Sequence, residues 1–270
     1  MDYYRNKSVL VTGGNSGIGL ATARILRRAG ANLTLVARDE AKLNSAKAEL
    51  NAMSSAAADV RIASVDIKER DRVAEVVQGL IAERPIDVLI SNAGVVMPGR
   101  FLDLPNEQFD DMMTTNFLGP VNLIRQVLPS MIDRRSGHVA FVSSFAGLIG
   151  IYGYTAYSAS KFAIRGFAQA FRCEMQPHNI RVSVCYPPDT ETPQLEFEDK
   201  YKPDETRAIA GNVKPVTAEY VATALLRGMA AGKFQIVPSF SARIQELAYR
   251  MMPGIAHSFF DSDIRKAGCK

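Results

Sequence analysis

The chain has 270 residues, of which 47% are hydrophobic, so it can bury the core of one large α/β domain or of two modest ones. Its 32 basic and 28 acidic residues are intermixed and leave a formal net charge of +4, which argues against a general affinity for nucleic acid. No apolar run approaches the roughly 20 residues of a membrane span, and no signal peptide is expected. We therefore expect a soluble, intracellular and cytoplasmic protein.

The cysteines and histidines show no metal-ligand pattern. An odd number of cysteines without a CxxC spacing fits a reducing compartment better than a disulfide framework. We expect Cys173 and Cys185 to fill the core, whereas Cys269 lies near the end of the chain. The histidines are far apart in sequence, so the chain predicts no metal site.

Apolar, β-branched runs of strand length alternate with segments of helical periodicity. The runs that predict strands are residues 8–12, 32–37, 60–65, 87–91, 138–143 and 180–186, with a short apolar piece at 234–237. The segments that predict helices are residues 17–29, 40–52, 69–83, two helices within 106–134, 154–176 and 217–231. Apolar strands separated by helices indicate a parallel sheet covered on both faces. The predicted fold is therefore α/β, a Rossmann-type doubly wound parallel sheet in a three-layer α/β/α arrangement.

The chain shows no internal linker or low-complexity segment, so we predict a single domain over residues 1–270. Residues 187–215 are rich in proline and charge and are expected to form an irregular, variable substrate loop. Residues 239–270 are expected to form an amphipathic C-terminal tail.

A glycine-rich turn joins the first strand to the first helix. Such a turn lets the backbone approach a pyrophosphate, whose charge is met by the N–H groups and the positive end of the helix. The spacing is G-x-x-x-G-x-G rather than the commoner G-x-G-x-x-G. The residues expected to hold a dinucleotide here are Gly13, Asn15, Ser16, Gly17, Ile18 and Gly19.

The end of the second strand indicates which dinucleotide is bound. A carboxylate there would hold the ribose 2′-OH of NAD, whereas Ala37 is followed by Arg38, whose guanidinium suits a 2′-phosphate. The sequence therefore favours NADP(H). The alternative is that Arg38 is a surface residue paired with Asp39.

Tyr157 and Lys161 are four residues apart in a predicted helix and so share one face. An ammonium group near a phenol favours the phenolate, by on the order of 4 kcal/mol at an effective dielectric constant of about 20, and should lower the pKa of Tyr157. Such a pair could act in general acid/base chemistry. Alone it is a weak signal, since any surface helix can contain it.

Together and in this order, the motifs identify the chain as a member of the short-chain dehydrogenase/reductase family. They are residues 12–19, Asp66, Asn92-Ala93-Gly94, Asn116, Ser144, and Tyr157 with Lys161. The resemblance covers nearly all of the chain through Thr192. One departure is Ser91, where the family usually has a second asparagine.

The resemblance implies roles for these residues. Ser144, thirteen residues before Tyr157, would be the catalytic serine rather than Ser143, and Asn116 would hold a water that links Lys161 to solvent. Lys161 would also hold the nicotinamide ribose. Asp66 and Ile67 would lie by the adenine, and Asn92, Ala93 and Gly94 would stabilise the sheet edge under the cofactor. The family also commonly forms dimers or tetramers through the helix after Tyr157 and that from Asn106.

The stretch after the sixth strand, Pro187-Pro188-Asp189-Thr190-Glu191-Thr192-Pro193, is similar to that of the 3-ketodihydrosphingosine reductases. This resemblance implies NADPH-dependent reduction of 3-ketodihydrosphingosine (3-dehydrosphinganine) to dihydrosphingosine, with Pro187, Thr190 and Thr192 at the cofactor. We expect no amino-terminal membrane anchor of the kind found in eukaryotic members. Two rival hypotheses stay open: a related ketoreductase for a steroid, retinoid or small carbonyl compound, and a non-catalytic NADP(H)-sensing regulator.

A lipid-like ketone needs an apolar passage for its tail. The candidates next to the motifs are Val95, Val96, Met97, Phe101, Leu148, Ile149, Ile151, Tyr152, Leu195 and Phe197. A second apolar stripe, which has helical spacing, comprises Phe240, Ile244, Leu247, Ala248, Met251 and Met252, and Arg265, Lys266 and Lys270 follow it. This stripe could cover the substrate opening, pack on another subunit, or make weak peripheral contact with a membrane.

Overall fold

Nine strands and eleven helices occupy the part of the chain that the computed structural model describes, residues 1–53, 58–210 and 214–268. The strands are β1 Ser8–Thr12, β2 Asn32–Ala37, β3 Val60–Ser64, β4 Val88–Ser91, β5 Gly137–Val142, β6 Ile180–Cys185, β7 Thr190–Glu191, β8 Val216–Thr217 and β9 Gln235–Ile236. Seven of them form one parallel sheet in the order β3-β2-β1-β4-β5-β6-β9, while β7 and β8 pair separately. The predicted doubly wound fold is confirmed.

The helices cover both faces of this sheet. They are α1 Gly17–Arg28, α2 Glu40–Ala52, α3 Arg70–Glu83, α4 Asn106–Met113, α5 Gly119–Asp133, α6 Thr155–Met175, α7 Pro193–Tyr201, α8 Asp204–Ala210, α9 Ala218–Ala230, α10 Phe240–Met251 and α11 Pro253–Gly268. Helices α3, α5 and α6 pack on one face, and α1, α2 and α9 pack on the other. Within the described residues, none of these helices has both the length and the apolar character needed to cross a membrane.

Strand side chains alternate between the two resulting cores. In β1, Leu10 belongs to the core under α3, α5 and α6, whereas Val9 and Val11 belong to the other. In β5, Phe141 and Ala140 divide in the same way. Because successive strand residues point to opposite faces, a strand covered on both sides must be apolar throughout. This is why the sequence shows continuous apolar runs.

The strand order places the crevice of the sheet next to β1. The chain runs outward from β1 through β2 to β3 and then returns to β4 on the opposite side of β1. Loops that leave the carboxyl ends of β1 and β4 therefore diverge, and ligands of open α/β sheets bind in such a crevice.

Most predicted boundaries agree with the structure to within two residues. Of the segment 187–215, residues 211–213 lie outside the described residues. The other residues of this segment, which we expected to be irregular, are largely regular. They contain β7, α7 and α8. The proline at the first position of α7 is compatible with a helix start, because its missing N–H needs no partner there. The hydroxyl of Thr192 caps this helix by accepting a bond from Leu195 N at 3.3 Å.

Two smaller expectations about cysteine have different outcomes. Cys185 is buried as predicted, but Cys173 is exposed, because it lies on the outer face of α6. Cys269 and Lys270 lie outside the described residues.

His138 is a buried structural residue at the start of β5. Its Nδ1 lies 3.1 Å from the Tyr3 hydroxyl, and its Nε2 lies 2.9 Å from Ser183 Oγ. Burial lowers the pKa of His138 to about 3, with a smaller effect from the positive charges of Arg181 and Lys7. The folded protein therefore holds this imidazole neutral at pH values where an unfolded chain would protonate it.

We predict that His138 makes the protein less stable as the pH falls. Since the folded pKa lies below the unfolded value of about 6.5, the unfolded state binds a proton first, and the free energy of unfolding should drop by about 2 kcal/mol between pH 7 and pH 5. Urea denaturation at several pH values would measure this slope in the wild type and in His138→Asn. The variant should lose that part of the slope, and equal slopes in the two proteins would contradict the assignment.

Candidate active site

A cavity of about 990 Å³ opens at the carboxyl edge of the sheet. It extends from the turn after β1, past Tyr157 and Lys161, to the inner face of α10. This volume is at the upper end of ordinary ligand pockets, and the crevice at the switch point of the sheet is one of the places where such pockets form.

Tyr157 and Lys161 lie on adjacent turns of α6, in the wall of this cavity. Their exposed fractions are only 8% and 4%. Lys161 Nζ donates to the backbone oxygen of Val142 at 3.2 Å and lies 5.5 Å from the centre of the Tyr157 ring. The two side chains predicted to cooperate are therefore together, and both are shielded from water.

The end of β5 fixes α6 in this position. Ser143 Oγ donates to the backbone oxygen of Lys161 at 3.1 Å. Gly147 permits this contact, because a Cβ at residue 147 would lie 2.5 Å from Ser143 Oγ and 2.9 Å from the backbone oxygen of Lys161. Ser143 is thus committed to packing, and this geometry supports our choice of its neighbour as the reactive serine.

Ser144 faces the phenol of Tyr157. Its hydroxyl is close enough to lower the pKa of Tyr157, and its oxygen accepts a bond from Ala146 N at 3.1 Å. With a backbone donor already on its oxygen, the Ser144 hydroxyl is oriented to donate its own proton into the cavity.

The structure reverses the sign of the pKa shift that we expected for Tyr157. Burial raises its pKa well above the ordinary value, and the negative charge of Glu198 raises it further, while the nearby Ser144 hydroxyl opposes the shift. Burial also lowers the pKa of Lys161 to about 8. Desolvation disfavours the charged form of both groups and outweighs their attraction. Tyr157 therefore holds its proton firmly at neutral pH.

Asn116 lies behind this pair in a π-helical turn, Thr114–Leu118, between α4 and α5. Its Oδ1 accepts from Val95 N at 2.8 Å, and its Nδ2 donates to Val95 O and to Ser160 Oγ, each at 2.9 Å. The side chain is occupied by these contacts and does not line the cavity. The role of Asn116 in holding a water stays a prediction.

The turn after β1 forms the floor of the other half of the cavity. Gly13 and Gly17 have φ values of +64° and +48°, which favour glycine. Ser16 precedes α1, but its side chain makes no capping hydrogen bond, so the first N–H groups of that helix are left for an anion. Gly19 lies outside the wall and has a packing role, since a Cβ there would lie 2.1 Å from Gly13 O.

A side chain that we did not single out from the sequence, Thr12, ties this turn to β4. Thr12 Oγ1 accepts from the backbone N–H groups of Asn92 and Ala93, both at 2.9 Å, and Asn92 Nδ2 donates to Thr12 O at 3.0 Å. Gly94 follows, where a Cβ would lie 3.3 Å from Lys161 Nζ. The absence of a side chain keeps the cavity open beside the lysine.

Charged residues line the end of the crevice that lies beside the carboxyl end of β2. Arg38 lies in the wall with 60% of its side chain exposed, and its Nη1 is 3.8 Å from Asp66 Oδ2. Asp39, the partner we considered for it, instead caps α2 and pairs with Lys42 at 3.4 Å. Lys42, which sequence reasoning missed, also lines this end.

The remaining predicted cofactor residues line the cavity as well. They are Asn15, Ile18, Ile67, Pro187, Thr190 and Thr192. Groups suited to a pyrophosphate, to an adenosine phosphate and to a nicotinamide ribose therefore follow one another along a single crevice. The donors and the open glycine positions fit a dinucleotide.

The apolar passage is only partly the one we expected. Of the ten candidates, four lie in the wall: Val95, Ile149, Ile151 and Leu195. Val96 and Leu148 are buried in the core, and Phe101 is 63% exposed. Met97, Tyr152 and Phe197 also lie outside the wall. The passage is completed by residues of α10 and by the residue that follows it: Ala248, Tyr249 and Met252.

A scan against family models matches residues 7–202 to short chain dehydrogenase. The chain belongs to the short chain dehydrogenase family. It is therefore an oxidoreductase that works with a nicotinamide cofactor.

The relatives of this short chain dehydrogenase include reductases with similar names. It is 43% identical to a 3-ketodihydrosphingosine reductase of Bos taurus over 229 residues, which cover 84% of this chain and 69% of the bovine protein. It is 44% identical to a 3-dehydrosphinganine reductase of Danio rerio, with the same coverage. A solved metagenomic short-chain oxidoreductase in complex with NADP matches with a TM-score of 0.72 and 26% identity, covering 88% of this chain and 100% of that one.

Proposed function

We propose that this protein reduces the ketone of 3-ketodihydrosphingosine to dihydrosphingosine with NADPH. The observation that carries the chemistry is the buried phenol of Tyr157, which lies beside Ser144 and Lys161 in one crevice. The relatives from Bos taurus and Danio rerio support the substrate, because both carry the name of this reductase and are more than 40% identical to the chain.

In this proposal the chain's own residues handle the proton. Bound NADPH supplies the hydride that reduces the ketone carbon. Tyr157 donates its proton to the ketone oxygen, a general-acid step typically worth 10²- to 10⁴-fold. Ser144 donates a hydrogen bond to the same oxygen and stabilises the charge that develops there. Lys161 is protonated below about pH 8, and its charge offsets that of the phenolate left behind.

The preference for NADP(H) over NAD(H) rests on the second strand. No carboxylate stands at its end, because Ala37 occupies that position and the Asp39 carboxylate is engaged with α2. Arg38 and Lys42 both line the crevice there and present two positive charges. These two cations would bind the 2′-phosphate of NADP(H), whereas the uncharged 2′-hydroxyl of NAD(H) does not require them.

The apolar half of the cavity supports a substrate with a long hydrocarbon tail. Ile149, Ile151 and Leu195 lie on the side next to Tyr157, and Ala248 and Met252 continue the wall along α10. Burying a methylene chain against such a surface gives about 0.8 kcal/mol per CH₂. A small ketone would leave most of this surface without a partner.

The stripe on α10 and the residue after it borders the cavity and is also largely exposed. Ala248 and Met252 line the cavity, although Ala248 is exposed and Met252 is 51% exposed, and Phe240, Leu247 and Met251 are 73%, 58% and 70% exposed. We propose that the inner side closes the substrate opening and the outer side touches a membrane surface weakly, so that a cytoplasmic enzyme can take up a lipid substrate. A homo-oligomer formed through α6 remains a further prediction.

The proposed function predicts a clear ranking of substrates. With NADPH, the wild type should reduce 3-ketodihydrosphingosine with a kcat/KM at least about 10²-fold above that for steroid, retinoid or small ketones, because only a long chain fills the apolar wall. Spectrophotometric NADPH oxidation would measure this. Tyr157→Phe is the control and should lose at least about 10²-fold in turnover while still binding NADPH. Equal rates with small ketones, or an active Tyr157→Phe, would refute the proposal.

Arg38→Ala should raise the KM for NADPH by about 10- to 100-fold and leave the KM for NADH nearly unchanged, because only the 2′-phosphate engages the guanidinium. Steady-state kinetics with both cofactors would measure this. A matched control is Arg72→Ala, which removes an exposed arginine of α3 that is paired with Glu75. Parallel changes with both cofactors would show that Arg38 does not select between them.

A further inference from the structure

Glu198 is a buried carboxylate in the wall of the active-site cavity. It lies on α7 and is 8% exposed, whereas its helix neighbours Glu196, Phe197 and Asp199 are exposed. Burying a carboxylate is costly unless the charge is compensated. The proposed proton transfer from Tyr157 and the hydrogen bond from Ser144 do not require a buried carboxylate here. The burial of Glu198 therefore calls for another explanation.

The direct partners of Glu198 are neutral. The Tyr154 hydroxyl donates to its Oε2 at 2.8 Å, and Gln194 Nε2 donates to its Oε1 at 3.2 Å. In the described part of the chain, no lysine, arginine or histidine nitrogen forms an ion pair with Glu198 within 4.0 Å. The nearby Lys202 instead pairs with Asp199 at 2.7 Å and with Asp189 at 3.6 Å. The carboxylate is held in place by hydrogen bonds, but its charge has no direct counterpart.

Glu198 is also close to the reacting position. Both of its partners lie near the catalytic phenol: the centroid of the Tyr154 ring is 5.7 Å from that of the Tyr157 ring, and the Gln194 side chain is close enough to lower the pKa of Tyr157. The charge of Glu198 raises the pKa of both Tyr157 and Lys161. Glu198 is therefore within electrostatic reach of the position at which a ketone oxygen would contact Tyr157.

The proposed substrate carries an amino group on the carbon next to its ketone. As an ammonium it has three N–H donors and one positive charge, which match an acceptor-only carboxylate whose present partners are neutral. The rings of Tyr154 and Tyr157 flank the same space and offer faces that attract a cation. The ammonium group distinguishes the proposed substrate from long-chain ketones that carry only hydrocarbon and hydroxyl groups.

We propose that Glu198 binds the ammonium group next to the ketone and so selects amino ketones over uncharged ketones of the same length. This inference rests on the proposed function and names the residue that determines its specificity. Lys202 and Lys161 act on the charge of Glu198 without a direct ion pair, and the ammonium supplies the direct partner. Gln194 and Tyr154 position the carboxylate for it.

The test compares two ketones that differ only in this group: 3-ketodihydrosphingosine and the same hydroxy ketone without its amino group. In Glu198→Gln, kcat/KM for the amino ketone should fall by about 10- to 100-fold, mainly through KM, because a charged hydrogen bond is replaced by a neutral one. The des-amino ketone reports any effect of the lost charge on Tyr157 and Lys161 themselves, so the ratio of kcat/KM for the amino ketone to that for the des-amino ketone should also fall by about 10- to 100-fold. NADPH binding, followed by fluorescence, should be unchanged and would show that the site is intact.

Glu196→Gln is the matched control, since it removes an exposed carboxylate from the same helix. It should leave both substrates unaffected. If Glu198→Gln lost the same factor with both ketones, or lost none with the amino ketone, recognition of the ammonium by Glu198 would be refuted while the proposed function stood. If the wild type reduced neither ketone but did reduce an unrelated one, the proposed function itself would fall, and this inference with it.

Discussion

The packing of α6 against the end of β5 is the constraint on which the active site depends. The Ser143 hydroxyl holds the backbone of Lys161, and the Lys161 ammonium reaches back to the carbonyl group of Val142. This double connection keeps Tyr157 opposite Ser144. It also keeps the side chains of Tyr157 and Lys161 buried. A shift of the helix by a fraction of a turn would separate the phenol from the serine and expose the lysine.

Burial in this position explains the electrostatics of the site. A Tyr–Lys pair on a solvated helix would have its phenol pKa lowered by the ammonium, but in the crevice the loss of hydration dominates and Tyr157 keeps its proton. A tightly held proton suits a group that donates to a ketone only when negative charge develops on its oxygen. The same burial, with Glu198 nearby, makes the site responsive to positive charge on a ligand.

The two halves of the cavity have different origins in the fold. The cofactor half is built from turns that leave the carboxyl ends of the central strands, which Thr12 and Asn92 tie together across β1 and β4. The substrate half is built from α7 and α10, which lie outside the alternating strand and helix pattern. The first half follows from the parallel sheet, whereas the second depends on how two peripheral helices pack over it.

This division also explains how much could be predicted from sequence. The sheet, its helices and the Tyr157–Lys161 pair were predictable, because strand and helix periods and local spacing report on neighbours along the chain. Glu198 and Gln194 were not, since proline and charge around 187–215 resemble a loop and hide the helix that buries them. The sign of the Tyr157 pKa shift could not be predicted either, because it depends on burial by distant segments rather than on the spacing to Lys161.

The most direct measurement is a crystal structure of the protein with NADP⁺ and dihydrosphingosine bound together. The account predicts that the 3-hydroxyl oxygen of the ligand lies within hydrogen-bonding distance, about 2.5–3.0 Å, of both Tyr157 Oη and Ser144 Oγ, with the hydrocarbon chain running along α10. A ligand whose hydroxyl contacts neither residue, or whose chain leaves by another route, would contradict it.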